Sequence, residues 1–268
     1  MPANPAGIRK LSIVIPCFNE RDTVRTLLGR VLAVPMPDGW ECEVIIVDDA
    51  STDGTREVLQ ALDLPARVLY RAMNGGKGTA LVDGFALATG THLLIQDADL
   101  EYDPADIPSL LAALDAEGVR EIDGESQACE ATRMTAKGDA PVVVYGSRNL
   151  RPNQRKGKRL LQLGVRFITA LINHLYGTRL TDACTCYKLF PRSAVPLFRP
   201  GGFDSDILFD PALIRAGYRI IEVPISYEPR SSAAGKKIKY QDGIRAIFAL
   251  LKDFRAHGSS SGMMGALK

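Results

Sequence analysis

The chain has 268 residues, of which 46% are hydrophobic and 24% charged, a composition that is ordinary for a soluble globular protein. With 33 Lys and Arg against 31 Asp and Glu, the net charge is only +2, so the overall charge gives no reason to expect a nucleic acid partner. The five cysteines are an odd number, which favours a reducing compartment over a disulfide framework.

The sequence shows neither a signal peptide nor a membrane-spanning segment. Residues 1–10 lack an apolar core, and no uninterrupted apolar run approaches the roughly 18 residues of a spanning helix. The nearest candidate, residues 160–176, is interrupted by Gln162, Arg166, Asn173 and His174. We expect this segment to form an amphipathic helix that lies on a surface.

In the first half of the chain, short apolar runs alternate with segments of helical periodicity. The runs predict strands at residues 11–15, 43–47, 66–70 and 93–95. Helices are predicted at residues 20–32, 55–62, 78–88 and 104–116. Continuous apolar strands separated by helices are typical of a parallel sheet covered on both faces. The predicted fold class is therefore α/β, with a Rossmann-like, mostly parallel central sheet.

The second half contains a polar interruption and two amphipathic segments. Residues 118–141 lack helical and strand periodicity and are predicted to form a flexible surface loop inserted into the domain. After it, strands are predicted at 142–145, 187–190 and 219–223, and helices at 160–176, 211–216 and 241–256. These elements predict a single domain over residues 8–256 and a disordered Gly- and Ser-rich tail at 257–268.

Carboxylates occupy alternate positions directly after the strand at 93–95. On an extended backbone, Asp97, Asp99 and Glu101 would lie on the same side. Oxygen ligands at the carboxyl end of a strand suit a Mg²⁺ or Mn²⁺ ion that holds a diphosphate. The alternative is a simple turn in which the aspartates end the strand.

Polar residues also follow two earlier strands. Asn19 and Glu20 come after the first strand, and Asp48 and Asp49 come after the second. Ligands of parallel sheets bind at the carboxyl ends of the strands, so these side chains are expected at the same edge as Asp97. Their convergence predicts a binding site rather than a set of unrelated turns.

The order of these motifs resembles that of the family 2 inverting glycosyltransferases, which have the GT-A fold. The resemblance rests on Ile-Pro-Cys-Phe-Asn-Glu at 15–20, Val-Asp-Asp-Ala-Ser-Thr-Asp-Gly-Thr at 47–55, Asn-Gly-Gly-Lys-Gly at 74–78 and Asp-Ala-Asp at 97–99. Further motifs resemble the branch that contains dolichol-phosphate mannose synthase: Gly-Ser-Arg at 146–148, Thr-Asp at 181–182 with Cys-Tyr-Lys at 186–188, and Glu-Val-Pro-Ile at 222–225.

The resemblance implies a nucleotide-sugar donor of the GDP-mannose or UDP-glucose type and a divalent metal, Mg²⁺ or Mn²⁺. The implied donor-binding residues are Pro16, Asn19, Glu20, Asp48, Asp49, Lys77 and Asp97. Lys77 lies between glycines, where the backbone can approach an anion, and would neutralise diphosphate charge. The implied metal ligands are Asp97, Asp99 and Glu101, although close relatives often have Gln in place of Glu101. The metal would act as a Lewis acid that stabilises the departing nucleoside diphosphate.

The acceptor is either a polyprenyl phosphate or a hydroxyl group. A hydroxyl needs a general base, whereas a phosphate with a second pKa near ~6 is already anionic at pH 7. The implied phosphate-binding residues are Arg148, Lys158, Arg159 and Arg230, beside amphipathic helices for the lipid. Catalytic roles are implied for Asp97, Asp99 and Asp182. Asp182 would act as a base or orient the sugar, and capping of a turn after Thr181 is its alternative role.

One departure from the family pattern bears on the acceptor. Many relatives carry Asp-x-Glu after Gly-Phe, whereas this chain keeps the first acid as Asp206 and has Leu208 in place of the second, for which Asp204 or Asp210 could substitute. The loss of that carboxylate favours an acceptor that needs no base. We therefore predict hexose transfer to a polyprenyl phosphate by a cytoplasmic protein that is peripheral on the cytoplasmic face of the membrane. The alternatives are the same fold acting on a hydroxyl acceptor, and a non-catalytic protein that binds a nucleotide sugar.

Overall fold

The computed structural model describes residues 8–63, 65–117, 140–151, 159–202, 204–230 and 240–257. The loop predicted at 118–141 lies outside these ranges except at its C-terminal end, and the predicted tail lies outside them except for His257. Lys158 is also outside the described residues.

A seven-stranded sheet organises the fold. Its strands are β1 Arg9–Cys17, β2 Trp40–Asp48, β3 Ala66–Tyr70, β4 His92–Ile95, β5 Val142–Ser147, β6 Lys188–Pro191 and β7 Arg219–Pro224. They lie in the order β3-β2-β1-β4-β6-β5-β7, with β6 antiparallel to its neighbours and the other pairs parallel. The structure confirms the predicted α/β class and the mostly parallel sheet.

Helices cover both faces of this sheet. They are α1 Val24–Leu32, α2 Thr55–Gln60, α3 Lys77–Leu87, α4 Ile107–Ala116, α5 Arg159–Tyr176, α6 Asp204–Arg215 and α7 Tyr240–His257. Side chains alternate along β1, so Ile13 packs into the core under α1 and α4, whereas Val14 packs into the core under α3 and α6. Burial on both faces explains why the strands are continuous apolar runs.

Helices α5 and α7 pack on each other and on α6, around a third apolar cluster that contains Ile172 and Leu250. The predicted amphipathic helices at 160–176 and 241–256 are therefore present, each within one residue of its predicted ends. Within the described ranges, no helix combines the length and the apolar character needed to cross a bilayer.

Helix α6 is longer than its sequence pattern predicted. It begins at Asp204 rather than near residue 211, and it continues through Pro211. The first turns were missed because Asp206 and Asp210 resemble surface positions in the sequence, whereas both side chains are buried in the structure.

Candidate active site

Three turns at the carboxyl end of the sheet use a left-handed backbone. Asn19 after β1, Ala50 after β2 and Leu100 after β4 have φ values of 52°, 59° and 63°. Residues other than glycine adopt this conformation at an energetic cost, and such positions often cluster at functional sites. The turns bring the polar residues of three parallel strands to one edge of the sheet, as the sequence predicted.

The two aspartates after β4 lie in a turn. The strand ends at Ile95, and the Asp99 carboxylate accepts a hydrogen bond from the Glu101 amide at 3.0 Å. Burial, and then the charges of Asp97 and Glu101, raise the pKa of Asp99 to about 7. The negative charge at Asp99 is therefore not fully compensated by its surroundings, which is the electrostatic condition for binding a cation.

Glu101 has partners other than the predicted metal. Its buried carboxylate accepts hydrogen bonds from the Tyr227 hydroxyl at 2.7 Å and from the Arg230 amide at 2.8 Å. The expected alternation along an extended strand is wrong, because the left-handed Leu100 turns the chain just before Glu101. In the part of the chain that the structure describes, no group of three His, Cys, Asp or Glu residues could hold a metal ion. Glu101 instead fastens residues 225–230 to this turn.

The loops after β1 and β2 are joined by hydrogen bonds of their polar residues. Asp48 is fully buried and accepts from Arg56 Nε at 2.8 Å and from the Ser51 amide at 3.2 Å. The Asn19 amide donates to the Ser51 hydroxyl at 2.9 Å, and the Asn19 side-chain oxygen accepts from the Thr52 amide at 2.8 Å. These contacts fix the loops at the carboxyl ends of β1 and β2, which form part of the predicted donor-binding edge of the sheet.

Asp49 organises the glycine turn that precedes α3. Its carboxylate is ion-paired with Arg71 and accepts hydrogen bonds from the amides of Gly75 and Gly76, at 2.9 and 2.8 Å. Gly76 has a φ of 84°, which a residue with a side chain rarely adopts. Asp49 thus sets the position at which Lys77 begins the helix.

Lys77 faces the acidic turn after β4. Its Nζ lies 2.6 Å from Asp97 Oδ1 and 3.7 Å from Asp206 Oδ2. Gly78 lets α3 approach α6, because a Cβ there would lie 2.3 Å from Ser205 Oγ. Burial alone would lower the pKa of Lys77, but the charge of Asp97 and its neighbours raises it well above the usual value. Lys77 is therefore a buried cation next to the predicted metal ligand.

Glu20 and Pro16 occupy the start of this edge. The Glu20 carboxylate accepts hydrogen bonds from the Thr23 hydroxyl at 2.8 Å and from Arg230 at 2.5 Å. Arg230 also donates through Nε to the carbonyl oxygen of Asp99 at 2.7 Å. Pro16 lies within β1, beside Val47 of β2. Arg230, predicted to bind the acceptor, thus also joins the turns that follow β1 and β4.

A bidentate ion pair lies after β5. Arg148 donates through Nε and a terminal nitrogen to the two carboxylate oxygens of Asp182, each at 2.7 Å. Asp182 is fully buried, and the backbone around it is held because Glu222 accepts from the Thr181 and Asp182 amides at 2.7 and 2.8 Å. A carboxylate bound in this way fixes the orientation of the guanidinium, and both of its oxygens are engaged. The geometry favours the orienting role of Asp182 over the role of a base.

The predicted phosphate-binding residues are brought together in part. The Arg148 guanidinium lies 5.1 Å from the ring centre of Tyr227, whose hydroxyl shares the Glu101 carboxylate with the Arg230 amide. Arg159 is the first residue of α5, and its side chain is outside the described part of the chain, as is all of Lys158.

A buried ion-pair network behind Lys77 was not predicted. Lys188 Nζ donates to Asp210 Oδ1 at 2.7 Å and lies 3.1 Å from Asp206 Oδ1, while the Tyr145 hydroxyl donates to Asp210 at 2.6 Å. Burial, despite the charge of Lys188, raises the pKa of Asp210 to about 6. The sequence placed Lys188 in the Cys-Tyr-Lys motif and two acids four residues apart at 206 and 210, but gave no sign that they pair.

A family model described as "Glycosyl transferase family 2" matches residues 12–197. The matched region contains Lys77, the turn with Asp97 and Asp99, and the Arg148–Asp182 pair. The motif-based resemblance and the family model therefore identify the same elements of the chain.

Curated relatives are similar over part of the chain. Dodecaprenyl-phosphate galacturonate synthase from Rhizobium johnstonii is 37% identical over 126 residues, which are 45% of this chain and 36% of the relative. Dolichol-phosphate mannosyltransferase from Pyrococcus furiosus is 36% identical over 107 residues, which are 39% of this chain and 30% of the relative. The chain thus aligns with about a third of the length of each of these relatives.

Solved structures support the fold. Glucosyl-3-phosphoglycerate synthase from Mycobacterium tuberculosis, in complex with Mn²⁺, uridine diphosphate and glucosyl-3-phosphoglycerate, superposes with a TM-score of 0.61 at 21% identity, over 91% of this chain and 79% of that one. Identity at this level is evidence for the fold alone, and it confirms the predicted GT-A architecture. The family model covers more than half of the chain and confirms the predicted family: the chain belongs to glycosyl transferase family 2.

Proposed function

We propose that this glycosyltransferase moves a hexose, with inversion, from a nucleotide sugar of the GDP-mannose or UDP-glucose type to a polyprenyl phosphate, and that the transfer depends on a divalent metal. The relatives that carry dodecaprenyl-phosphate and dolichol-phosphate in their names support this acceptor class. The observation that carries the choice of acceptor is the bidentate Arg148–Asp182 pair.

The residues after β4 fit a divalent cation. Asp97 and Asp99 offer carboxylate oxygens, and the charge of Asp99 is not fully compensated in the protein alone. Mg²⁺ is usually held by one or two carboxylates together with substrate phosphates, so two aspartates are a sufficient protein ligand set. When bound, the metal would supply Lewis-acid stabilisation of the leaving diphosphate. Structures of the Mycobacterium tuberculosis enzyme were obtained with Mn²⁺ or with Mg²⁺.

The donor would bind along the carboxyl ends of β1, β2 and β4. Lys77, the first residue of α3, would provide a side-chain cation for the diphosphate at the positive end of the helix dipole. The remaining donor-binding residues in this proposal are Pro16, Asn19, Glu20, Asp48 and Asp49. Asp48 and Asp49 would contribute mainly by fixing the loops, since both are buried and bonded to arginines.

The acceptor would be a phosphate because the site is poor in bases. Asp182 is bound by Arg148, and Glu20 is bound by Arg230 at 2.5 Å. A guanidinium therefore compensates the charge of each of these two carboxylates. The Arg148–Asp182 pair uses one edge of the Arg148 guanidinium, and the other edge retains N–H groups that can donate to a phosphate. A phosphate acceptor needs cations of this kind and no base.

The lipid would be met by the outer face of α5 and α7. Large apolar side chains on this face are exposed: Leu163 by 61%, Phe167 by 57%, Ile244 by 49% and Phe248 by 69%. Exposed cations lie on the same two helices, at Arg166, Arg245, Lys252 and Arg255. Apolar side chains with flanking cations are typical of helices that lie in the surface of an anionic membrane. We therefore include peripheral membrane association in the proposal.

A transfer assay tests this function. Radiolabelled GDP-mannose, UDP-glucose and UDP-N-acetylglucosamine are each offered with Mg²⁺ or Mn²⁺, with and without a short-chain polyprenyl phosphate. We expect label to enter the organic phase from one donor, only when the lipid phosphate and the metal are present. Hydrolysis of a donor without labelled lipid, or transfer to a hydroxyl-bearing acceptor instead, would contradict the proposed acceptor.

A further inference from the structure

Charged side chains of alternating sign form a row from the acidic turn into the core. Lys77 lies between Asp97 and Asp206, with its Nζ 2.6 Å from Asp97 Oδ1 and 3.7 Å from Asp206 Oδ2. Lys188 lies between Asp206 and Asp210, with its Nζ 3.1 and 2.7 Å from one oxygen of each. All five side chains are at least four-fifths buried, so the charges in the row interact strongly.

The inner end of the row is fixed. Lys188 Nζ donates to the carbonyl oxygen of Asp206 and to Asp210 Oδ1, both at 2.7 Å, and also contacts Asp206 Oδ1. Two of these contacts are hydrogen bonds, and the third, to Asp206 Oδ1, is an ion-pair contact. Lys188 therefore holds one oxygen of Asp206 in place and leaves the other oxygen, Oδ2, directed at Lys77.

At the outer end of the row, the Lys77 ammonium lies near two carboxylates, those of Asp97 and Asp206. The Lys77 ammonium binds the same carboxylate, Asp97, that we propose as a metal ligand. A divalent cation at Asp97 would repel this ammonium and compete for its oxygen. To form an ion pair of ordinary length with Asp206, Lys77 Nζ needs to move by only roughly 1 Å. Asp206 is thus a preformed second partner for Lys77.

We propose that Asp206 is a positioning residue that draws Lys77 away from Asp97, so that a divalent cation and the donor diphosphate can bind there. In the absence of metal, the ammonium of Lys77 compensates Asp97; when the cation binds, Lys77 shifts toward Asp206 and remains beside the diphosphate. Lys188 keeps Asp206 charged and oriented for this exchange. The inference rests on the metal site of the proposed function.

Binding of Mn²⁺ alone, without donor, tests the exchange. Free Mn²⁺ is measured by electron paramagnetic resonance in titrations of the full chain, and each variant is first checked for folding by circular dichroism and thermal unfolding. We expect Lys77→Met to bind Mn²⁺ about tenfold more tightly, because the competing ammonium is gone. We expect Asp206→Asn to bind it about tenfold more weakly, because Lys77 then stays on Asp97.

The double variant separates this exchange from simple electrostatics. If Asp206 acts through Lys77, adding Asp206→Asn to Lys77→Met should change Mn²⁺ affinity by less than about twofold. If Asp206 only adds negative charge near the metal, its removal should weaken binding equally or more in the double variant, and the proposal is then wrong. Unchanged or weaker binding by Lys77→Met would also overturn it.

Two further measurements complete the test. Asp97→Asn should abolish Mn²⁺ binding; if it does not, the metal site of the proposed function fails, and the exchange fails with it. Should Asp206→Asn not fold, a crystal structure of the unaltered chain with Mg²⁺ and a nucleoside diphosphate gives the answer. Lys77 Nζ within hydrogen-bond distance of Asp206 Oδ2 supports the exchange, and Lys77 still paired with Asp97 refutes it.

Discussion

Negative charge is compensated differently in two regions of the site. One is the donor edge, formed by the turns after β1, β2 and β4, and the other is the acceptor side, which contains the Arg148–Asp182 pair after β5. After β4, Asp99 is partly buried beside Asp97 and Glu101, and its raised pKa of about 7 shows that its charge is not fully compensated. On the acceptor side, Asp182 is completely buried and yet bound by Arg148 through both oxygens. The first region requires a cation to be stable in its ionised form, whereas the second already contains its cation.

This difference indicates which substrate group each region can bind. A carboxylate pair with excess negative charge binds a divalent metal and, through it, the diphosphate of a donor. A compensated Arg–carboxylate pair is rigid, because bidentate contacts fix the plane of the guanidinium. Its remaining N–H groups can therefore bind an anion in a defined orientation, as a phosphate acceptor requires.

The largest expected effect comes from removing the uncompensated charge at the donor edge. Asp99→Asn keeps the size of the side chain and deletes a proposed metal ligand, so turnover should fall by about a thousandfold or more. The variant should remain folded, since it loses charge repulsion with Asp97. Initial rates at saturating donor, acceptor and Mg²⁺ measure the effect.

A matched control for Asp99→Asn is Asp22→Asn. The Asp22 side chain is 84% exposed and pairs only with the neighbouring Arg21 among the ion pairs of the described residues. This control should keep normal turnover. Comparable turnover in Asp99→Asn would contradict the assignment of the metal to this turn.

A smaller effect is expected from the acceptor side, and its form is diagnostic. Asp182→Asn should leave Arg148 poorly oriented and raise the KM for polyprenyl phosphate by about tenfold, with the donor KM unchanged. If Asp182 were instead a general base for a hydroxyl acceptor, kcat would fall by about 10²–10⁴ with little change in KM. Steady-state kinetics with each substrate varied in turn distinguish the two outcomes.

The control for Asp182→Asn is Asp106→Asn. Asp106 is also buried, and it accepts a hydrogen bond at 3.1 Å from Arg151, which lies in the same loop as Arg148. It binds the Ser226 amide and therefore serves the structure of the segment that follows β7. A selective rise in the acceptor KM in this variant as well would mean that the effect of Asp182→Asn is not specific to Arg148.

A moderate effect is expected at the outer face of α5 and α7. Replacing Phe167 and Phe248 by Ser removes two of the most exposed apolar side chains and should weaken binding to anionic vesicles by at least about tenfold, since each buried Phe contributes about 1.5–3 kcal/mol. Turnover with a short, water-soluble acceptor should not change. Co-sedimentation with phosphatidylglycerol vesicles measures the binding.

Met73→Ser is the control for this surface, because Met73 is 78% exposed but lies before α3 rather than on α5 or α7. It should leave vesicle binding unchanged. If the double Phe variant binds vesicles normally, the lipid must bind to another surface, and the outer face of α5 and α7 is not part of the acceptor site.

The donor edge was more predictable from sequence than the acceptor side for a physical reason. Strands β1, β2 and β4 are parallel and apolar, so residues just after them must meet at one edge, and local patterns locate Asn19, Asp48 and Asp97. The acceptor side is built from contacts between distant segments. Arg148 pairs with Asp182 34 residues away, and Arg230 binds Glu20 210 residues away.

Local sequence patterns also did not predict the partners of acidic residues that are buried in the fold. Glu101 was expected on the same side as Asp97 and Asp99 because of its spacing, but Leu100 changes the backbone direction and the Glu101 carboxylate accepts from Tyr227. The sequence analysis did not predict that Asp206 and Asp210 are buried, with Lys188 compensating them inside the fold. Sequence spacing does not specify such pairs, because their geometry depends on how α6 packs on β5 and β6.

The smallest effect is expected at the opposite end of the sheet, where charge is structural. Glu43 accepts hydrogen bonds from Ser12 at 2.6 Å and from the Thr89 amide at 2.5 Å. Burial alone would raise its pKa, but these bonds and Lys10 lower it from 4.5 to about 2. The unfolded chain therefore binds the Glu43 proton more tightly than the folded chain, so this stabilisation is complete above pH 4.5 and is lost as the pH falls toward 2.

Glu43→Gln should lower the free energy of unfolding at pH 7 by about 1–2 kcal/mol, allowing for solvent screening. It should also make the free energy of unfolding fall less steeply as the pH is lowered below 4.5. Urea unfolding at several pH values measures this, and turnover at pH 7 should stay normal, because charge at this end of the sheet does not contact either substrate site.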